Sequence, residues 1–161
     1  MKQKVVGMTI VLSAIFVCVA AGTAKAQSTK ESRGRGLTKA QVEVIVNRVE
    51  DRVDNFVKNL DRSLDQSPLN GTDKEDWLNK RAKDLEKATD ELRREFDRND
   101  AWAENKDEVR RCLIIATDIE RNMRRYNFGT TTESNWGRVR YELNSLADVY
   151  NIPRVGASVY N

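Results

Sequence analysis

Outside its first 26 residues the chain offers carboxylates, arginines, three tryptophans and one cysteine as groups with chemistry in them, and nowhere does it contain histidine. That absence removes whole classes of mechanism. Ser-His-Asp and Cys-His catalysis need an imidazole base, and the Glu-x-x-His pairs that hold two irons inside a bundle need an imidazole ligand. So do His-ligated zinc and haem attached through Cys-x-x-Cys-His. Carboxylates alone can act as general acid and base, and Glu108 with Asp118 is the pair to consider. The remaining acids alternate with lysine and arginine off the apolar positions, so none stands out as buried and unpaired. The oxygen-rich stretch from Asp65 to Asp76 lacks the Asp-x-Asp-x-Asp-Gly order of a calcium loop. The expectation is a protein that is not an enzyme, with no catalytic residue, no cofactor and no metal.

The residue types that remain suit contact. Arg121, Arg124 and Arg125, with Arg138 and Arg140, crowd one stretch of sequence and could form a patch for an anion or an acidic partner. Equally, they could complement a helix C-terminus and pair with Glu120, Glu133 and Glu142, which is the reading favoured here. Trp77 and Trp136 offer ring faces for a ligand or partner, although with Trp102 their simplest task is to plug the ends of a core. Cys112 falls on an apolar position, where a thiol usually behaves as a small buried group; a reactive thiol or an intermolecular disulfide is the alternative. Ile114 is the one large apolar residue facing away from the core side of its segment, and with Leu113 or Ile115 it could mark a contact between copies.

These groups need helices to position them. Val109, Cys112, Ala116, Ile119, Met123 and Tyr126 follow at spacings of three and four, one continuous apolar seam along a helix. Val42, Val46, Val49, Val53, Phe56 and Leu60 make another seam. Leu78, Ala82, Leu85, Thr89, Leu92 and Phe96 make a third, and Trp136, Val139, Leu143, Leu146 and Tyr150 a fourth. Thr38 with Gln41, and Thr72 with Glu75, have capping-box spacing. Ser67-Pro68-Leu69-Asn70-Gly71 is turn chemistry, Asn99 or Asp100 is placed to cap the third helix, and Thr130 to Ser134 offer caps for the fourth. Gly129 suits the left-handed position past a helix end, and Pro153 stops the last helix near Asn151. The sequence therefore predicts helices over about 38–66, 72–98, 101–127 and 132–151. Short connections favour antiparallel neighbours, hence an all-α, up-down-up-down four-helix bundle spanning 38–152. A loose tail, 153–161, follows it.

Ahead of the bundle, Lys2 and Lys4 precede an apolar run from Val5 to Ala21, and Ala24-Lys25-Ala26 presents small residues at the positions a signal peptidase reads. This is the layout of a signal peptide over 1–26, cleaved before Gln27, with a flexible tether over 27–37. Cleavage would remove Lys2, Lys4 and Lys25 from the 28 basic residues and leave 25 against 25 acidic ones. A neutral chain lacks the basic balance expected of a nucleic-acid binder. It would also keep only Cys112, so no internal disulfide could form. The expected location is the periplasm or the extracellular space, with no stable membrane span after leader cleavage.

Two stretches, Leu60-Asp61-Arg62-Ser63-Leu64 with Leu69-Asn70-Gly71-Thr72, and Trp136-x-x-Val139-Arg140-x-x-Leu143-x-x-Leu146-Ala147-x-x-Tyr150, resemble a group of secreted bacterial helical proteins of uncharacterised function. That resemblance implies fold and compartment and no activity. Leu37-Thr38-Lys39-Ala40-Gln41 is similar to the Leu-Thr-x-x-Gln motif that occurs twice in a family of small periplasmic ATP-independent chaperones; here it occurs once. The functional expectation is an exported structural or protein-interaction module of the cell envelope, contacting envelope proteins or itself. The alternative is a chaperone-like or small apolar ligand-binding bundle.

Overall fold

A computed structural model describes residues 36–157. The signal peptide expected over 1–26, all but the last two residues of the tether, and the final four residues lie outside the described part. Four helices follow in order: α1 (Lys39–Asp65), α2 (Asp73–Arg98), α3 (Lys106–Met123) and α4 (Thr130–Tyr150), with a short 3-10 turn, Trp102–Asn105, leading into α3. α1 packs on α2 and α4, and α3 closes the square by packing on the same two helices. The fold is all-α, an up-down-up-down four-helix bundle.

Each start has a local cause. The Thr38 side chain accepts from the Gln41 amide, and the Gln41 side chain accepts from the Thr38 amide at 2.9 Å, so two otherwise unpaired donors are satisfied together. Leu37 does not belong to the tether: it lies partly buried against the core, just before the cap, where an apolar residue can pack on the first turn. At α2 the Thr72 side chain accepts from the Glu75 amide, while the Glu75 carboxylate takes the Gly71 amide. Asp73, Glu75 and Asp76 in that first turn face the positive end of the helix dipole. α4 ends in a left-handed Asn151 whose amide reaches Asp148 O while the Ile152 amide reaches Ala147 O. This pair of bonds is the Schellman arrangement, which satisfies the last carbonyls of the helix.

The four seams meet in one core. Val42, Val46, Val49, Val53, Phe56 and Leu60 of α1 are fully or almost fully buried, as are Leu78, Leu85, Leu92 and Phe96 of α2, Val109, Cys112, Ala116 and Ile119 of α3, and Val139, Leu143 and Leu146 of α4. Each large side chain so removed from water contributes about 1.5–3 kcal/mol, and among the described residues no disulfide adds to it. Trp102 and Tyr150 close one end edge to face, 5.4 Å between ring centres, with the Tyr150 hydroxyl donating to Trp102 O at 2.7 Å. At the other end Thr132 turns inward and shares a 2.6 Å hydrogen bond with Ser63, tying the start of α4 to the end of α1.

Four expectations need correction. The third helix does not run over 101–127: it opens as the 3-10 turn and ends at Met123, where the amides of Arg125 and Tyr126 both turn back to Asn122 O. Neither Asn99 nor Asp100 caps it, because the Asn99 side chain donates instead to Asn105 Oδ1. Gly129, with φ of +79°, is the residue that starts α4 rather than the end of α3, and the helix begins at Thr130 with no side-chain cap. Finally, the tail is not loose through residue 157. Arg154 makes two hydrogen bonds to Asp148, the Val155 amide reaches Asn144, and the Gly156 amide reaches Thr117, so the segment lies folded over α3 and α4.

Candidate interaction surface

Glu120, expected only as one of three acids for the arginines to pair with, is the acid whose burial sequence reasoning missed. It is 3% exposed, in a row with Leu113, Ala116 and Met123 on the side of the α3 seam that turns toward α4. Trp136 Nε1 donates to its Oε2 at 2.5 Å, while Arg124 Nε at 2.8 Å and Arg140 Nη1 at 2.7 Å donate to its Oε1. Burial alone would raise this carboxyl; the Trp136 and Arg124 hydrogen bonds and the Arg140 charge outweigh it and hold the carboxyl below its ordinary range. The Trp136 ring also packs 4.9 Å from Phe56. The 3–4–3 spacing from Leu113 to Met123 was the available signal, since it places residue 120 on a buried row.

Of the seven candidate contact residues, the fold thus gathers Trp136, Arg124 and Arg140 onto one carboxylate. The others go elsewhere. Arg121 pairs with Asp118 on its own helix. Arg138 lines an open groove of about 520 Å³ between α1 and α4, beside Arg52, Gly137 and Tyr141. Among the described residues neither Arg138 nor Arg125 forms an ion pair, Glu142 takes Arg48, and Glu133 accepts from the Phe128 amide. The five arginines therefore do not make a single patch. Trp77 is half-buried, with Lys74 Nζ 4.8 Å and Arg81 Cζ 6.0 Å from its ring centre. It and Trp136 sit on helices that start at the same end of the bundle, each with its own neighbours.

The remaining reactive types are tied down. Cys112 is fully buried and its thiol is pushed up to about 12 by burial. Burial likewise raises the Tyr150 phenol. Glu108 and Asp118 lie ten residues apart on α3, about 15 Å along its axis, and Asp118 is bonded to Arg81 of α2. Among the described residues no group of His, Cys, Asp or Glu is gathered as a metal site would require, and no helix is long and apolar enough to cross a membrane.

The outer face of α3 differs from the other surfaces. Ile114 stands on it 55% exposed, with a groove on either side. Toward α2 an open groove of about 470 Å³ is lined by Arg81, Asp84, Lys87, Arg111 and Ile115 as well as Ile114. Toward the tail a smaller one, about 170 Å³, has Leu113, Thr117, Ile152 and Pro153 in its wall. The docked tail builds that second wall, so the apolar ridge has two sides only because residues 152–157 are folded back. Val44 and Tyr141 are the other large exposed apolar residues, 53% and 69%, on α1 and α4. The chain matches no family model, no curated protein and no solved structure.

Proposed function

We propose that the chain is an exported four-helix bundle of the cell envelope that works by non-catalytic contact, as a structural or protein-interaction module, through the outer face of α3. The observation that carries this reading is Ile114, a large apolar side chain held in water on a ridge between two grooves. Its neighbours Leu113 and Ile115 are buried, so its exposure is a property of the face rather than of a frayed segment. The groups with reactive potential support the same reading from the other side. Glu120 is saturated by three donors, Cys112 is sealed in the core, and Tyr150 closes an end.

The alternative, a chaperone-like or small apolar ligand binder using the end lined by Trp77 and Trp136, is less well supported, because the Trp136 ring would have to leave both Phe56 and Glu120 to meet a ligand. Capture from the envelope fraction tests the proposal. A partner retained by the wild-type protein and lost by Ile114→Glu is the expected result. Equal capture by both, or a tryptophan emission shift on adding apolar ligands with no dependence on residue 114, would overturn it.

A further inference from the structure

The outward row of α3 reads Asp107, Arg111, Ile114, Asp118, Arg121. Numbered from Ile114, these lie at −7, −3, 0, +4 and +7, so all five fall within one narrow strip of a 3.6-residue helix. Their charges run negative, positive, none, negative, positive. Laid antiparallel against itself with Ile114 at the centre, such a row meets opposite charge at every level. Asp107 faces Arg121 of the second copy, Arg111 faces Asp118, and the same two pairs recur on the other side of the axis. Laid parallel, every level would meet its own sign. The one-residue difference between −3 and +4 is about 1.5 Å along the helix, well within the reach of an arginine.

Resting on the contact reading above, we propose that the partner of this face is a second copy of the chain, packed α3 against α3 in antiparallel register about a two-fold axis at Ile114. An isologous contact of this kind needs a self-complementary surface, and here the complementarity is in the charges. Asp107 and Arg121 are 84% and 68% exposed in their side chains, so both can be reached by a second copy. Asp107 already holds Arg110 of its own helix and Asp118 holds Arg81 and Arg121, so each carboxylate would sit between guanidinium groups from both copies. Ile114 of one copy enters the tail-side groove beside Ile114 of the other, where Leu113, Ile152 and Pro153 supply apolar wall. Like charges set against each other at every level exclude the parallel alignment, the usual way a charged helix face fixes orientation.

Engineered cysteines in the purified full chain, with Cys18 replaced by serine, read both the contact and its direction, because Cys112 is buried. Residues 107 and 121 are about 21 Å apart on one helix, too far for a disulfide within a chain. Oxidation of Ile114→Cys, and of the double variant Asp107→Cys with Arg121→Cys, should give covalent dimers whose linked peptides are 114 to 114 and 107 to 121 by mass spectrometry. The two single variants at 107 and 121 should not cross-link. Sedimentation equilibrium should show a concentration-dependent dimer whose dissociation constant rises at least about tenfold in Ile114→Glu, a change of about 1.4 kcal/mol. Cross-linking of the single variants, 107 to 107 or 121 to 121, would overturn the register. A wild-type protein that sediments as a monomer at all concentrations would overturn the dimer. If that monomer still lost an envelope partner on Ile114→Glu, the contact reading would stand and only the identity of the partner would fall.

Discussion

Removing the Glu120 carboxylate should cost the fold far more through Trp136 than through the two arginines bonded to the same group. Arg124 and Arg140 are 70% and 43% exposed in their side chains, so both return to water when the acid is gone, and such pairs contribute about 0–1 kcal/mol each. The indole N–H of Trp136 has no such recourse, since the residue is 4% exposed. A buried donor left without an acceptor costs about 1–3 kcal/mol. Glu120→Ala should therefore destabilise by about 2–4 kcal/mol, and Glu120→Gln, whose amide oxygen can still accept from Trp136, by about 1 kcal/mol. Trp136→Phe on top of Glu120→Ala removes the stranded donor, so the double variant should lose less than the sum of the singles. Urea unfolding at pH 7 measures all five proteins, the Trp136→Phe single variant included. The sign of the pH dependence follows from the direction of the shift. A carboxyl held below its unfolded value contributes stability above the ordinary carboxylate range and loses it as pH falls through the folded value. The gap between wild type and Glu120→Gln should thus be constant from pH 6 to 8 and close in acid. Equal losses for Ala and Gln, or a gap that persists in strong acid, would refute the reasoning.

Two further outcomes follow from the same geometry. With the Cys112 thiol pushed up to about 12, only about one part in ten thousand is thiolate at pH 8, so a thiol reagent should leave Cys112 unmodified in the native protein and modify it promptly in urea, which peptide mapping reads. Glu50 is pushed the other way from Glu120: burial and its neighbours Asp90, Asp54 and Asp51 raise its carboxyl, with only Arg93 opposing. Its raised value means that stability is present at acid pH and lost as pH rises through the folded value. Glu50→Gln should therefore raise the melting temperature at pH 7 and leave it unchanged below about pH 4, a comparison made by thermal unfolding at the two pH values.

Much of the fold was legible because the apolar seams are regular. Val42 to Leu60 and Leu78 to Phe96 keep three–four spacing with few interruptions, and the Thr38 and Thr72 caps fix where α1 and α2 begin. Legibility failed where side chains act over distance in sequence. Thr132, a candidate cap by type, is drawn inward by Ser63 and Asn59 of α1, 69 and 73 residues earlier, which no local pattern contains. The tail read as loose because Arg154 to Ala157 carry no seam, yet its bonds run to Asp148, Asn144 and Thr117 on two helices. Glu120 was legible as a partner for the arginines but not as a buried acid, because Trp136 and Arg140, which close over it, lie 16 and 20 residues away on another helix. Conversely, Ile114 was visible as the one apolar residue off the seam, whereas its two grooves depend on α2 and on the folded tail.

The claim that α3 presents the working face is tested most directly inside the cell, with a photoreactive residue placed at position 114 and, as controls, at 44 and 141, the other exposed apolar positions. On irradiation, position 114 should give a discrete protein adduct, either a second copy of the chain or an envelope protein, while 44 and 141 give none above background. Adducts at 44 or 141 with none at 114 would contradict the account.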